Sequence, residues 1–179
     1  MIELSEFKNE GPGLFLEFKD ALLGLNNGVI IAIEHIGSTS ISNVKAKDII
    51  DVQLSIMSFN QLDKVKEILE PLGFTLLDSK QKDHVPFHEG DFYSAGWEKR
   101  LLTGLYKGQN FNIHVRLHGS LNWNFALDFK RYLATNDKAR YAFMQFKERL
   151  ALSGVDRATY SSIKDSVIDL MSLQFKEEL

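Results

Sequence analysis

The stretch EHIGSTSISNVKAKDIIDVQLSI, residues 34–56, sets a Gly-Ser turn ahead of a strand-like run that carries one carboxylate, Asp51. Gly37 lets a backbone approach a ligand closely, and the N–H groups and hydroxyls of Ser38, Thr39 and Ser40 suit phosphate oxygens. Residues two apart in a strand face the same side, about 6 to 7 Å from one another. Asp51 and Gln53 therefore share a face, while Ile50, Val52 and Leu54 pack on the other. An unpaired buried carboxylate costs several kcal/mol, so Asp51 must be solvated, hydrogen-bonded, paired with a cation or bound to metal.

Other side chains able to do chemistry lie further along. His114 and Arg116 share a face of FNIHVRLH, where His114 could act as general base or phosphate donor beside a positive neighbour. His118 is on that face too, but about 13 Å from His114, too far for both to chelate one ion. Tyr160 and Lys164 stand one helical turn apart and could face a cleft together. His35 precedes the Gly-Ser turn on an apolar strand and is either a satisfied structural histidine or part of the site. Asp83-His84 and His88-Glu89 are ligands or acid–base groups brought in by a loop, or plain loop polarity. Lys130 and Arg131 read as surface charge on a helix, and Trp123, Phe125 and Phe129 as core.

The elements that must position these groups follow from pattern. After an extended start (Ile2 to Phe7) and a breaker at Gly11-Pro12-Gly13, Leu14, Phe18, Ala21, Leu22 and Leu25 repeat at helical spacing. VIIAIEHI (29–36), DIIDVQLSI (48–56), FTLLD (74–78), RLLTGLY (100–106) and FNIHVRLH (111–118) read as strands, the last two forming a hairpin around KGQN. Leu62, Val65, Ile68, Leu69 and Leu72 mark a helix stopped by Gly73. Residues 79–98 read as a long surface loop or irregular hairpin. The last third is helical, with faces at Phe125–Leu133, Tyr141–Leu150 and Tyr160–Met171. The expected fold class is α+β, a mixed sheet of about five strands flanked by helices with a helical C-terminal third, in one domain over residues 1–179.

Composition narrows the function classes. Apolar residues make up 44% and charged residues 25% of the 179, which fits a soluble globule rather than a fibrous or disordered chain. A net charge of −3 without long runs of either sign gives no reason to expect a nucleic-acid partner, though it allows a local basic pocket. The absence of cysteine removes disulfides, thiolate metal sites and cysteine nucleophiles. No apolar run approaches the roughly 20 residues of a membrane span, and the start lacks a signal-peptide pattern, so the expected location is cytoplasmic.

The Gly-Ser turn and acidic strand together resemble the nucleotidyltransferase superfamily signature, in which such a turn precedes an Asp-hydrophobic-Asp/Glu strand. IEHIGSTSI, KDIIDVQLSI, NIHVRLHGS followed by Trp123, FKRYL, and the Tyr160–Lys164 pair are more specifically similar to the GrpB-like family, a branch assigned to that superfamily. The resemblance runs along most of the chain. It implies a nucleotidyltransferase-like fold, nucleotide phosphates on Gly37, Ser38 and Thr39, and Mg²⁺, or alternatively Mn²⁺ or another divalent ion, on Asp51. Gln53 departs from the pattern: it can offer a metal a carbonyl oxygen but no charge. His114 stands where a third carboxylate is expected and suits Zn²⁺ or Mn²⁺ better than Mg²⁺.

Three functions follow as expectations. The first is transfer of a nucleotidyl or phosphoryl group from a nucleoside triphosphate to an unknown small acceptor, with His114 as base and Arg116 or Lys164 steadying charge. The second is a non-catalytic nucleotide-binding module. The third is a hydrolase or phosphotransferase using His114, His84 and Asp51 around a transition metal.

Overall fold

A computed structural model describes residues 3–4, 10–79, 81–87 and 95–175. The elements run α1 (Glu10–Leu25), β1 (Ala32–Ile36), β2 (Ile50–Ile56), α2 (Leu62–Leu69), β3 (Phe74–Leu77), β4 (Arg100–Tyr106), β5 (Gln109–Leu117), α3 (Leu121–Thr135), α4 (Asp137–Leu152) and α5 (Arg157–Ser172). The five strands form one mixed sheet in the order β1-β2-β5-β4-β3. Only β2 and β5 pair in parallel; the other neighbours are antiparallel.

Local chemistry explains most boundaries. The β4–β5 hairpin closes on Lys107 and Gly108, both at positive φ (50° and 82°), as the primed turns of tight hairpins require. Gly73, at φ 91°, ends the helical segment before β3 in the left-handed conformation. Asn136 and Asp156 cap α4 and α5 by accepting the N–H groups of Ala139 and Thr159. Contrary to the sequence reading, Gly11-Pro12-Gly13 does not precede the first helix but forms its first turn. Proline is tolerated there because the first-turn N–H groups have no helical partner to lose. β1 begins at Ala32, three residues later than expected.

Alternation along the two central strands creates two unlike faces. Ile50, Val52, Leu54 and Ile56 of β2, with Phe111, Ile113 and Val115 of β5, pack against Phe15, Phe18 and Leu22 of α1 and Val65, Ile68 and Leu69 of α2. The opposite face carries Asp51, Gln53, Ser55, Asn112, His114 and Arg116, and the register pairs Asp51 with Asn112, Gln53 with His114 and Ser55 with Arg116. The C-terminal helices contribute a second apolar cluster: Phe129 and Leu133 of α3 and Phe143 of α4 close on Ile41, Val44 and Phe175. Between that cluster and the polar face lies the cleft. No helix among the described residues is long and apolar enough to cross a membrane.

Candidate functional site

The cleft has a volume of about 480 Å³ and takes its lining from the Gly37–Thr39 turn, β2, β5, the segment around residues 82–84 and 97–99, and α3, α4 and α5. Seven Lys and Arg side chains line it against four Asp, although the whole chain carries a net charge of −3. The positive charge of the wall is therefore a local feature of the fold.

At the floor, Asp51 Oδ1 accepts a hydrogen bond from Asn112 Nδ2 (2.9 Å) and lies 3.4 Å from His114 Nε2. Burial pushes the Asp51 carboxyl up, but the bonds from His114 and Asn112 and the charge of Lys164 outweigh it and hold the group below the usual carboxylate range. Burial pushes the His114 imidazole down, with Arg116 and Lys99 adding to it and Asp51 opposing, so His114 is neutral at neutral pH. With Nε2–H directed at Asp51, Nδ1 carries the lone pair, and it is buried without a partner.

Gly37 is fixed by its surroundings twice over. Its φ of 69° with ψ of −172° is a conformation essentially reserved for glycine, and a Cβ there would sit 2.7 Å from Asp51 Oδ2. The turn and the carboxylate are thus in contact: the glycine is small because Asp51 packs against it.

One end of the cleft is cationic. Lys147 Nζ, almost fully buried, donates to Ser38 Oγ (2.8 Å) and to the Lys45 carbonyl (2.7 Å). Its pKa falls to about 7 through burial and the charges of Lys164 and Lys47, with Asp51 opposing. Lys47 is lowered likewise, by burial, Arg157 and Lys164, and its Nζ stands 4.5 Å from the Tyr160 ring centroid. Lys47, Lys147, Arg157 and Lys164 thus form a group whose members repel one another, a cost that bound anionic charge would remove. Lys164 has Asp165 at 3.7 Å, a loose partner.

Deeper along the polar face the cations are already satisfied. Asp83 accepts from Lys99 Nζ (2.5 Å), Arg116 Nε (3.0 Å) and Asn122 Nδ2 (2.9 Å). Burial pushes Asp83 up, and Arg116 and Lys99 pull it far below the carboxylate range. Arg116 Nη1 also donates to Gln53 Oε1 (2.5 Å), while Gln53 Nε2 lies 3.4 Å from the Trp123 carbonyl. At the end of the cleft, His84 Nε2 meets both oxygens of Asp169 (3.0 and 2.8 Å), which also accepts the Phe87 N–H.

The family model described as GrpB protein matches residues 1–173. The chain belongs to the GrpB family. A crystal structure of the conserved protein GrpB from Enterococcus faecalis has the same fold, with a TM-score of 0.73 over 96% of this chain and 98% of that one at 22% identity. A UPF0157 protein of Halalkalibacterium halodurans is 27% identical over 84% of this chain and 69% of its own length. A protein named dephospho-CoA kinase in Mycobacterium bovis is 32% identical over 128 residues, 65% of this chain but 31% of that protein. GrpB lies in the nucleotidyltransferase-like superfamily, and the α+β architecture with its helical C-terminal part is shared.

In this GrpB chain the fold brings Gly37, Ser38, Thr39, Asp51, His84, His114, Arg116 and Lys164 to one cleft. Two expected site residues stand apart from it. Gln53 shares the face of Asp51 but is wholly buried, its amide oxygen occupied by Arg116, which corrects the reading of Gln53 as a metal ligand. His35 is on the opposite face, stacked on Phe15 (centroids 4.8 Å apart) and bonded to Thr39 Oγ1 at 3.0 Å. Burial and the charge of Lys130 lower its pKa to about 4, so it is a neutral structural histidine. Lys130 is not free surface charge; it donates to the His35 carbonyl.

The segment read as a surface loop is partly interior. Lys82 and Glu98 form an antiparallel bridge, Trp97 is buried, and Asp83 organises the polar face. His88 and Glu89 lie outside the described residues. Sequence reasoning missed Lys47, Lys147, Arg157, Asn112 and Asn122. Asn112 was within reach, since it shares the alternation of His114 and Arg116; the lysines come from separate elements and carry no local signal.

Among the described residues no three His, Asp or Glu side chains gather where they could hold one metal ion. Asp51 is the single carboxylate free for a ligand at the floor, and cations surround it. These residues do not fit a resident two-metal centre, so no step is derived through one.

Proposed function

We propose that the cleft binds a nucleoside triphosphate by its phosphates and that the protein transfers a nucleotidyl or phosphoryl group from it to a small-molecule acceptor. The observation that carries this reading is the group of Lys47, Lys147, Arg157 and Lys164 beside the Ser38 hydroxyl, in a protein of net negative charge. Polyphosphate relieves the mutual repulsion of these cations, and contacts made in a partly desolvated cleft are stronger than at an open surface. His114 is the base: neutral, it can take a proton from an acceptor hydroxyl at Nδ1, and ionised Asp51 stabilises the imidazolium that forms. Lys147 and Lys164 steady the charge that develops on the phosphate oxygens. The name dephospho-CoA kinase, borne by relatives of which this chain spans about a third, is that of a phosphotransferase and agrees with the phosphoryl form of the reaction. Magnesium enters as a companion of the nucleotide, part of the substrate rather than a resident ion.

A second reading, a nucleotide-binding module without transfer, is favoured by one observation: Gln53 stands at the position of the second carboxylate and is locked to Arg116. The metal-hydrolase reading is not supported, because His84 is held by Asp169 rather than turned to a site shared with His114 and Asp51.

The test is a thermal-shift and calorimetric panel of nucleoside triphosphates with and without Mg²⁺, on wild type and on the double variant Lys147→Ala, Lys164→Ala. The expected result is stabilisation of wild type and at least a tenfold weaker affinity in the variant. If no nucleotide stabilises wild type, both nucleotide readings fall. If one does, release of pyrophosphate or nucleoside diphosphate across a pool of acceptors, followed by mass spectrometry, separates enzyme from module.

A further inference from the structure

Three buried side-chain polar atoms lack a hydrogen-bond partner among the described residues: Trp97 Nε1, His114 Nδ1 and Tyr160 Oη. All three residues line the same cleft. Leaving a buried donor or acceptor unpaired costs roughly 1 to 3 kcal/mol, so a group of them around one cavity marks a wall completed by a ligand. They also mark its length. Tyr160 sits beside Lys47 at the cationic end, and His114 beside Asp51 at the floor. Asp169, nine residues beyond Tyr160 on α5, lies about 13 Å further along the helix axis at 1.5 Å per residue. It holds His84, and the adjacent Asp83 donates its N–H to the Trp97 carbonyl (2.8 Å), so Trp97 marks the far end.

The chemistry of the far end differs from that of the lysine end. Trp97 is 3% exposed, and its indole N–H can only donate, so its complement is an acceptor. Phe125 meets its ring edge-to-face at 5.3 Å, and Ala126, Phe129 and Ile168 continue an apolar wall. Lys99 and Arg116 are committed to Asp83, and His84 is held by Asp169, while Lys82 is exposed. Among the described residues a second phosphate would find only the exposed Lys82 uncommitted there, whereas a flat uncharged ring with an acceptor would meet the buried indole N–H and the apolar wall.

Resting on the nucleotide reading above, we infer that the Trp97 end of the cleft receives the heteroaromatic base of the nucleotide, with Trp97 Nε1 donating to a ring nitrogen or carbonyl and Phe125 walling the ring. Trp97 is then the residue that makes the cleft prefer a nucleotide over a bare phosphate chain.

The experiment compares ATP, GTP, CTP and UTP with inorganic tripolyphosphate by calorimetry, on wild type and Trp97→Phe, which keeps an aromatic ring and removes the N–H. At least one nucleotide should bind wild type more tightly than tripolyphosphate does. Trp97→Phe should lower that preference about 3- to 10-fold, the worth of one hydrogen bond to a buried partner. Should Trp97→Phe fail to fold, Phe125→Leu tests the same wall and should lower the same preference. Equal binding of nucleotide and tripolyphosphate by wild type overturns the inference while leaving the phosphate site standing, as does a variant with wild-type preference. Failure of both probes to bind wild type instead removes the nucleotide reading itself.

Discussion

The two faces of β2 and β5 are made by alternate residues of the same two strands, yet they are held together by different physics. On the α1–α2 side, Ile50, Val52, Leu54 and Ile56 meet Phe111, Ile113 and Val115, and each adds stability in proportion to the area it buries. On the cleft side, Asn112 bonds Asp51, Arg116 bonds Gln53 and Asp83, and Ser55 bonds His118, so each group is stable only while its partner remains. The apolar face is additive and tolerant; the polar face is a network that, among the described residues, stays incomplete where His114 Nδ1, Tyr160 Oη and Trp97 Nε1 meet the cleft. A ligand site arises where that network is incomplete.

The largest expected effect lies on the apolar face. Phe111→Ala removes a ring packed among Phe18, Phe74 and Tyr106 and should lower unfolding free energy by about 3 to 5 kcal/mol in a urea titration. A loss below about 1 kcal/mol would mean that this face is not the main core.

The apolar face also holds a histidine, which sharpens the comparison through pH. Folded His35 titrates at about 4 against 6.5 when unfolded, so the unfolded chain binds the proton first and stability falls as pH drops from about 6.5 to about 4. The contribution is on the order of 3 kcal/mol, at 1.36 kcal/mol per unit. His35→Gln should flatten the pH dependence of Tm over that window, and an unchanged slope would assign the acid sensitivity elsewhere.

At the junction of turn and floor, Gly37→Ala combines a disfavoured backbone with a Cβ against Asp51 Oδ2. A destabilisation of roughly 1 to 3 kcal/mol is expected in the same titration, together with loss of nucleotide binding. A fully stable, ligand-binding variant would show that turn and carboxylate are not coupled.

The smallest effect on stability, and the most telling, is expected at Lys147. Removing an amine held at a pKa of about 7 by burial and repulsion should leave Tm unchanged or raise it by a few degrees in Lys147→Met, while nucleotide affinity falls about tenfold. A core residue would show the reverse order. Since half of the Lys147 amines are charged near pH 7, wild-type affinity for polyphosphate should also weaken as pH rises through 7 to 8, and bound anion should raise the midpoint.

Much of the fold was legible because it is written in short-range patterns. The alternation in IDVQLSI and FNIHVRL announces strands with one apolar and one polar face, the helical spacing of Phe18 and Leu22 or of Val65, Ile68 and Leu69 announces what covers them, and Lys107-Gly108 announces the hairpin. The first-helix boundary was misplaced because Pro12 breaks a helix interior but suits its first turn. Within the site, Asp51, His114, Arg116, the Gly37-Ser38 turn and Lys164 were legible from residue type and period.

The sequence by itself determined the layers, the strand faces, the family and the presence of a lone carboxylate on a central strand, since each depends on neighbours within a few positions. Only the tertiary structure decided which polar residues satisfy one another and which face the cleft. Gln53 and Asp51 have equal standing two residues apart, yet Arg116 seals the first and the cleft takes the second. Lys47, Lys147, Arg157 and Lys164 come from a loop, α4 and α5, and their meeting is long-range: a charge has no periodicity to announce its partner, and burial and Coulomb forces act on distance in space rather than along the chain.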